Sequence, residues 1–272
     1  MTQPPVVLTI AGSDSGGGSG LQADLRTFAA QSIHGVCALT VVSAQNTEDF
    51  RSALAVPATM LRSQIEAILD DFEVKVAKTG LLYSEENIRL ISEMADAGLL
   101  PPLVVDPVIV NRHGELLYDL ATIEWMRQYL IPKALVITPN HLEAKHLLGT
   151  DIEDDVGALS EAALRLLALG PSVVALTGGR RETPTMVDVV AHNGEVVLLE
   201  VERCSTSNVR GTGDTFSAAI AAGLAKGSSA LESVRKAQAF TAEAVHRAVN
   251  WKLGSGQGPI DHLGHFDTAR LD

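Results

Sequence analysis

NVRGTGDTFSAAIAAGLAKG, residues 208–227, joins a short glycine turn to an alanine-rich helix and places one carboxylate, Asp214, where the two meet. Helix N-termini carry a partial positive charge and free backbone N–H groups. Glycines before a helix let the backbone approach a ligand closely. We therefore predict that Gly211, Thr212 and Gly213 form an anion-binding site suited to a phosphate group.

The Asp214 carboxylate needs its own explanation, because a like charge beside a bound phosphate is repulsive. It is useful if Asp214 accepts the proton of an incoming hydroxyl group while the turn stabilises charge on a transferred phosphoryl group. The alternative is that Asp214 only caps an ordinary helix. The glycines before Asp214 and the small residues after it favour the catalytic role.

Composition limits the classes of protein to which the chain can belong. Hydrophobic residues make up 46% of the 272 residues and aromatic residues only 4%, which favours an aliphatic α/β core. The formal net charge of −12 argues against a nucleic-acid partner. The sequence shows no signal peptide, no apolar run of membrane-spanning length and only two cysteines, so we expect a cytoplasmic protein with free thiols.

Strand-like and helical segments alternate along the chain. Residues 6–11 and 36–44 have the pattern of buried strands, and residues 21–31 and 59–72 that of amphipathic helices. This order predicts one α/β domain over residues 1–272, with a mostly parallel central sheet flanked by helices on both faces. Asn193-Gly194 between two apolar runs predicts a short antiparallel edge hairpin. Ligands of such sheets bind at the carboxyl ends of the strands.

Several other motifs follow predicted strands. Residues 11–24, AGSDSGGGSGLQAD, partly fit a dinucleotide-binding pattern, but no acidic residue ends the next strand, and a loop over a small substrate fits as well. Asp106 in VVDPVIV and Glu143 in TPNHLEA predict a hydrated Mg²⁺ site. The alternatives are an edge aspartate and a capping-box glutamate. LTGG at 176–179 and GSGQGP at 254–259 either line a nucleotide or form plain turns.

Taken in order, these motifs resemble the ribokinase-like superfamily of ATP-dependent kinases, and within it the hydroxymethylpyrimidine and phosphomethylpyrimidine kinases of thiamine biosynthesis. The resemblance rests on AGSDSGGGSGLQADLRTF, AQNT, VAKTGLL, DPV, TPNHLEA, RGTGDTFSAAIA and GSGQGP, which span nearly the whole chain. It implies a ribokinase-like fold, a homodimer, and two successive phosphoryl transfers from Mg-ATP, first to a pyrimidine hydroxymethyl group and then to its monophosphate. It leaves open whether a monovalent cation assists.

The resemblance also implies roles for individual residues. The residues implied to form the substrate pocket are Gln45, whose amide reads the pyrimidine edge, and Gly12, Asp24, Leu81 and Val108. Those implied to position Mg²⁺, directly or through water, are Asp106 and Glu143. Those implied to act in catalysis are Gly211, Thr212, Gly213 and Asp214. Those implied to lie near the nucleotide are Thr177, Gly179 and Gly256.

Two departures from the family pattern affect these roles. The usual glycine turn reads HGTGC, whereas here it reads RGTGD, and an aspartate is ionised near neutral pH while an unactivated cysteine stays a thiol. Many pyridoxal kinases carry this aspartate. Thr177 replaces a lysine that usually reaches the ATP phosphates, and Arg210 is our candidate to bind phosphate instead, since its guanidinium can do so with two parallel bonds.

Three alternatives to the pyrimidine kinase remain at this point. A pyridoxal kinase shares the fold, the metal and the aspartate. A non-catalytic sensor of a vitamin precursor is disfavoured by the intact Asp214, Asp106 and Glu143, and a dinucleotide oxidoreductase by the missing ribose-binding acid. The eight histidines show no metal-ligand spacing, and we expect most of them at the surface.

Overall fold

The computed structural model describes residues 3–179 and 183–264. Its strands are β1 Val6–Asp14, β2 His34–Gln45, β3 Phe50–Ala55, β4 Val74–Thr79, β5 Leu103–Val105, β6 Val136–Ile137, β7 Val173–Gly179, β8 Thr185–His192 and β9 Glu195–Glu202. They form one nine-stranded sheet in the order β3-β2-β1-β4-β5-β6-β7-β8-β9. The six central strands, β2, β1, β4, β5, β6 and β7, run parallel to one another. At the two edges, β3 pairs antiparallel with β2, and β8 and β9 continue antiparallel from β7.

Helices cover both faces of this sheet. Their bounds are α1 Gly20–Ala30, α2 Ala58–Leu69, α3 Glu85–Asp96, α4 Leu120–Trp125, α5 His141–Leu148, α6 Val156–Leu167, α7 Thr212–Ala225 and α8 Ala230–Arg247. Neighbouring strand residues point to opposite faces, so Val104 belongs to the apolar core shared with α1, α7 and α8, whereas Val105 belongs to the core shared with α2 to α6. Both faces of the parallel strands are therefore buried, which explains their continuous runs of aliphatic residues.

The predicted α/β architecture is confirmed, with one addition. The hairpin turn lies at Asn193 and Gly194, whose φ angles of 53° and 78° are those that a tight hairpin requires, and His192 pairs with Glu195 across it. The edge strand β3 was not predicted. Within the part of the chain that the structure describes, no helix is long and apolar enough to cross a membrane.

Parallel strands bring distant residues to one edge of the sheet. Asp14 and Gln45 end β1 and β2, Lys78 lies one residue before the end of β4, and Asp106 follows β5 directly. Their side chains all belong to the carboxyl-end edge, where the turn before α7 also arrives, because Gly80 lies close to both Lys78 and Asp214. The candidate site is located at this edge.

Candidate active site

The glycine turn before α7 packs closely against the glycine-rich loop that follows β1. Gly211 caps the helix with φ 83°, a conformation that glycine adopts at little cost. A β-carbon at Gly211 would overlap the carbonyl oxygen of Gly18 and lie 3.4 Å from the β-carbon of Ala23. Gly211 is therefore required both for its backbone angle and for the close approach of the two loops. In the same turn, the N–H of Thr212 donates to the carbonyl oxygen of Val209 at 3.3 Å.

Asp214 lies in the first turn of α7, with its side chain 17% exposed. One carboxylate oxygen, Oδ1, lies 3.7 Å from the ammonium nitrogen of Lys78. A β-carbon added to Gly80 would lie 3.9 Å from the same oxygen. The residue after β4 that lies beside the Asp214 carboxylate is therefore a glycine without a side chain. The carboxylate is thus held on one side by a cation and open on the other to a ligand.

Lys78 is the residue that our sequence analysis missed. Its ammonium group is fully buried and bonds both oxygens of the fully buried Asp24, at 2.8 and 2.9 Å, while Thr9 donates its hydroxyl to Asp24. Burial raises the pKa of Asp24 to about 6 against the opposing effect of Lys78. Burial alone would lower the pKa of Lys78, but Asp24, Asp214 and Asp106 raise it above its usual value, so Lys78 stays charged.

Asp24 therefore lies beneath the site. It is part of the buried ion pair that supports Lys78, and its predicted contact with substrate stays a prediction. The strand β4 carries both the exposed Lys75 and the buried Lys78, so the sequence alone does not distinguish them. Lys78 is identified only by its buried carboxylate partner, which a buried ammonium requires.

The two predicted metal residues are buried carboxylates with different surroundings. Asp106 accepts a hydrogen bond of 3.2 Å from the Ser217 hydroxyl. Glu143 forms the capping box of α5, accepting the N–H of Asn140 at 3.0 Å, and its second oxygen accepts the N–H of Ile109 at 3.0 Å. Glu143 is thus a capping-box residue, one of our two readings, and it also fixes the loop after β5.

Electrostatics at this end of the site favour a cation. Burial, together with Glu143 and Asp214, raises the pKa of Asp106 well above its usual value despite Lys78. Burial raises the pKa of Glu143 to about 7, against the backbone N–H groups that it accepts. A divalent cation would relieve this repulsion between carboxylates, so the donor chemistry fits Mg²⁺. Within residues 3–179 and 183–264 no three His, Cys, Asp or Glu side chains converge in a way that could hold a metal ion.

The remaining predicted pocket residues surround the ends of β1, β2, β4 and β5. A β-carbon at Gly12 would lie 2.6 Å from Val41 Cγ1 and 3.7 Å from Leu81 Cδ2, so Gly12 keeps the strand ends close. Val108 has φ 42°, which is strained for a β-branched residue. The strain is maintained by the neighbouring Ile109, whose N–H is held by Glu143.

Arg210 is buried between two of these segments. Its Nε donates to Asp14 Oδ2 at 3.0 Å, and its Nη2 lies 2.9 Å from the same oxygen and donates to Gln45 Oε1 at 2.8 Å. The structure therefore places Arg210 beside the predicted pyrimidine-reading residue. Its predicted role at the ATP phosphates stays a prediction.

The residues predicted to lie near the nucleotide fall at two separate places. Thr177 and Gly179 end β7 beside Asn140, to which Thr177 is bridged. Gly256 donates its N–H to Thr47 Oγ1 at 3.1 Å, in the turn after β2. Strands β2 and β7 are five positions apart, roughly 24 Å at about 4.8 Å per strand. Gly256 therefore lies on the Gln45 side of the site, away from Thr177.

Among the seven histidines that the structure describes, two are exceptions to the expected surface location. His141 and His262 are buried, and His262 Nε2 lies 2.9 Å from the hydroxyl of Thr215, next to Asp214. Burial lowers the pKa of His262 to about 4, so this imidazole is neutral near pH 7. His265 lies outside the described residues.

Comparison with known proteins agrees with the motifs. A family model described as phosphomethylpyrimidine kinase matches residues 14–261. The hydroxymethylpyrimidine/phosphomethylpyrimidine kinase of Streptomyces coelicolor is 40% identical over 259 residues, which cover 95% of this chain and 94% of the relative. The enzyme of the same name from Synechococcus elongatus is 40% identical over 263 residues, covering 96% of this chain and 97% of the relative.

Solved structures confirm the predicted ribokinase-like fold. An ADP complex of Bacillus subtilis pyridoxal kinase superposes with a TM-score of 0.89 at 36% identity, covering 99% of this chain and all of the other. A phosphomethylpyrimidine kinase from Clostridium difficile superposes with a TM-score of 0.79 at 33% identity, covering 89% of this chain and 99% of the other. With a family match over most of its length and relatives at 40% identity over more than nine-tenths of both chains, this chain belongs to the phosphomethylpyrimidine kinase family.

Proposed function

We propose that this protein is a single-domain kinase that transfers the γ-phosphoryl group of ATP to 4-amino-5-hydroxymethyl-2-methylpyrimidine and then to the resulting monophosphate, in thiamine biosynthesis. The observation that carries the proposal is the position of Asp214 in the first turn of α7. There a partly exposed carboxylate follows the glycine turn directly in the chain. Membership of the phosphomethylpyrimidine kinase family supports the choice of substrate.

In the first transfer, Asp214 accepts the proton of the substrate hydroxyl group while the hydroxyl oxygen forms a bond to the γ-phosphorus. The bond from that phosphorus to the bridging oxygen of ADP breaks, and ADP leaves with the electron pair. The backbone N–H groups of residues 211–213 stabilise the negative charge on the transferred group. The ammonium group of Lys78, 3.7 Å from Asp214 Oδ1, helps to hold the Asp214 side chain in place.

The second transfer makes a smaller demand on Asp214. Its acceptor is a phosphate monoester, which has a second pKa of about 6 and is therefore already ionised near pH 7. The anion-binding turn must still hold the phosphoryl group, because its charge is the same in both steps. We therefore assign Asp214 chiefly to the first step and residues 211–213 to both.

Asp106 and Glu143 would hold Mg²⁺ at the carboxyl ends of β5 and β6, largely through water. The ion neutralises charge on the ATP phosphates when bound. Thr177 and Gly179 would lie near the nucleotide, at the end of β7 where the partly exposed Thr177 is bridged to Asn140. Gly12, Leu81 and Val108 would line the pyrimidine pocket with Gln45.

A pyridoxal kinase is the second candidate function. Two observations favour it: the aspartate at position 214, and superposition on Bacillus subtilis pyridoxal kinase over nearly the full length of both chains. The curated relatives named as pyrimidine kinases favour the first proposal.

We also propose that the protein acts as a cytoplasmic homodimer. Apolar side chains on the edge strand β3 and the neighbouring β2 support this arrangement, since Phe50 is 55% exposed, Leu54 72% and Val42 47%. Sedimentation velocity of the purified protein would give the mass directly, and a monomer at micromolar concentration would contradict the dimer.

Product formation from Mg-ATP tests the proposed function. Hydroxymethylpyrimidine, its monophosphate, pyridoxal and a blank without acceptor are assayed in parallel, with products identified by mass spectrometry. We expect a monophosphate and then a diphosphate from the pyrimidine. Turnover of pyridoxal alone would establish the second candidate, and turnover of none of the acceptors would contradict both.

A further inference from the structure

The buried guanidinium of Arg210 connects the glycine-rich loop, the end of β2 and the turn before α7. We propose that Arg210 is a positioning residue for specificity: it orients the Gln45 amide so that this amide turns its N–H donors toward the acceptor substrate. The inference rests on the proposed function, in which Gln45 contacts the substrate ring. It assigns to Arg210 an effect on the acceptor, distinct from the phosphate role predicted from the sequence.

Chemistry fixes the orientation of the Gln45 amide. A guanidinium has five N–H donors and no acceptor, so the amide atom that faces Arg210 Nη2 at 2.8 Å must be the oxygen. The amide nitrogen, Nε2, then points away from Arg210. Among the described residues this nitrogen has no hydrogen-bond partner, and the Gln45 side chain is only half-buried.

The backbone of Gln45 is fixed as well. The hydroxyl of Ser15 donates to the carbonyl oxygen of Gln45 at 2.6 Å, and the N–H of Gln45 donates to the same hydroxyl at 2.9 Å. The amide is therefore held at both ends, by Ser15 at the main chain and by Arg210 at the side chain. A fixed amide loses less conformational freedom when it binds a ligand.

Arg210 is itself held firmly. Asp14 Oδ2, which accepts from Arg210, also accepts the N–H groups of Gly18 and Ser19 at 3.1 and 3.0 Å. The backbone N–H of Arg210 donates to the carbonyl oxygen of Gly258 at 3.0 Å. A β-carbon at Gly18 would lie 2.8 Å from Arg210 Cδ, so the loop packs directly on the side chain. The guanidinium cannot turn away without opening these contacts.

This arrangement selects a class of substrate edge. The N–H donors of the Gln45 amide match an unprotonated ring nitrogen of a flat heteroaromatic ring, such as the pyrimidine nitrogen opposite the 4-amino group. They are mismatched with an edge that presents its own donor. Sites that bind a polar edge with aligned partners reject the wrong edge strongly, because the buried groups are then unpaired. A free glutamine could rotate its amide and accept both kinds of edge, whereas a glutamine bound to Arg210 cannot.

Steady-state kinetics with hydroxymethylpyrimidine and Mg-ATP tests the inference. We expect Arg210→Met to raise the KM for the pyrimidine about tenfold, the effect of one well-aligned hydrogen bond, with the KM for ATP changed less than about twofold. Arg210→Lys is the matched control, because it keeps a positive charge beside Asp14 but lacks the planar fork needed to bond Gln45 as well. It should show the same rise in the KM for the pyrimidine.

A double-variant cycle distinguishes positioning from general damage. In a Gln45→Ala background, Arg210→Met should have little further effect on the KM for the pyrimidine, because the residue through which Arg210 acts is gone. Equal effects of Arg210→Met in both backgrounds, or a rise in the KM for ATP alone, would overturn the inference. Gln45→Glu should weaken pyrimidine binding at least as much as Arg210→Met, since it keeps the Arg210 contact but replaces the free donors by an acceptor.

Binding of the pyrimidine alcohol, measured by calorimetry without ATP, separates this inference from the proposed function. A wild-type protein that binds the pyrimidine but does not phosphorylate it would contradict the proposed function and leave the Arg210 cycle measurable as Kd. A wild-type protein that phosphorylates the pyrimidine, with Arg210 variants of unchanged pyrimidine KM, would contradict the inference alone.

Discussion

Replacement of Lys78 by methionine tests the buried ion pair at the base of the site. Lys78 and Asp24 are both fully buried, and the ammonium nitrogen lies 2.8 and 2.9 Å from the two carboxylate oxygens. Lys78→Met leaves the Asp24 carboxylate without its counter-ion in a place that water does not reach. Removing one partner of such a pair typically lowers the free energy of unfolding by about 3–5 kcal/mol.

The size of the effect can be converted into a melting temperature. At about 2–4 °C per kcal/mol for a protein of this size, Lys78→Met should melt roughly 6–20 °C below the wild type. Because Asp24 already has a pKa of about 6 with Lys78 present, it should take up a proton near neutral pH in the variant, which favours the lower part of this range.

Thermal unfolding near pH 7 is the assay, and a charge-free pair is the control. The double variant Asp24→Asn/Lys78→Met removes both charges and should recover most of the lost stability, because no uncompensated charge remains. A Lys78→Met variant that melts within about 2 °C of the wild type, less than the usual effect of 1 kcal/mol, would contradict a stabilising role of the ion pair. A double variant that is less stable than the single one would contradict it as well.

Three further changes probe the catalytic turn and its surroundings. Asp214→Asn should lower kcat for the pyrimidine alcohol about 10²- to 10⁴-fold and lower kcat for its monophosphate much less, measured by steady-state kinetics with each acceptor separately. A loss below about tenfold with the alcohol would contradict the role of Asp214 as the base. Gly211→Ala should abolish both transfers, since the new β-carbon would overlap the Gly18 carbonyl oxygen, and ATP binding by calorimetry should weaken with it; near-normal binding would contradict the closed contact. His262 should make stability depend on pH, because its pKa is lowered from 6.5 to about 4 in the folded state, so the unfolded state binds the proton first. The contribution of neutral His262 to the free energy of unfolding is full above pH 6.5 and falls by about 3 kcal/mol in total as the pH drops toward about 4. In urea unfolding, the wild type should therefore lose this stability relative to His262→Gln as the pH is lowered.

The sequence predicts the central sheet well because its strands are buried on both faces, and it predicts the hairpin because Asn193-Gly194 favours positive φ angles. Strand β3 has no such signal. Its large apolar residues Phe50 and Leu54 are exposed, and only the backbone pairing with β2 makes it a strand. Exposed apolar residues at a sheet edge do not produce the alternating apolar and polar pattern by which a strand is recognised in a single sequence.

The candidate site divides in the same way. The turn with Asp214 and the capping box of Glu143 are local patterns, and both are visible in a few consecutive residues. The pairs that organise the site join residues far apart in the chain: Lys78 lies 54 positions from Asp24, and Arg210 lies 196 positions from Asp14. Such pairings are set by the order of the strands, which a single sequence does not specify residue by residue.

The strained backbone of Val108 has a consequence for how the protein assembles. A valine with φ 42° costs about 1–3 kcal/mol, so this loop does not take up its shape by itself. Ile109, its neighbour, is held by Glu143 at the start of α5, and Asp106 is held by Thr79 at the end of β4. The loop is therefore completed only after both elements have docked. During local opening it should be released first, and hydrogen exchange at Ile109 would report loss of the site before the protein unfolds globally.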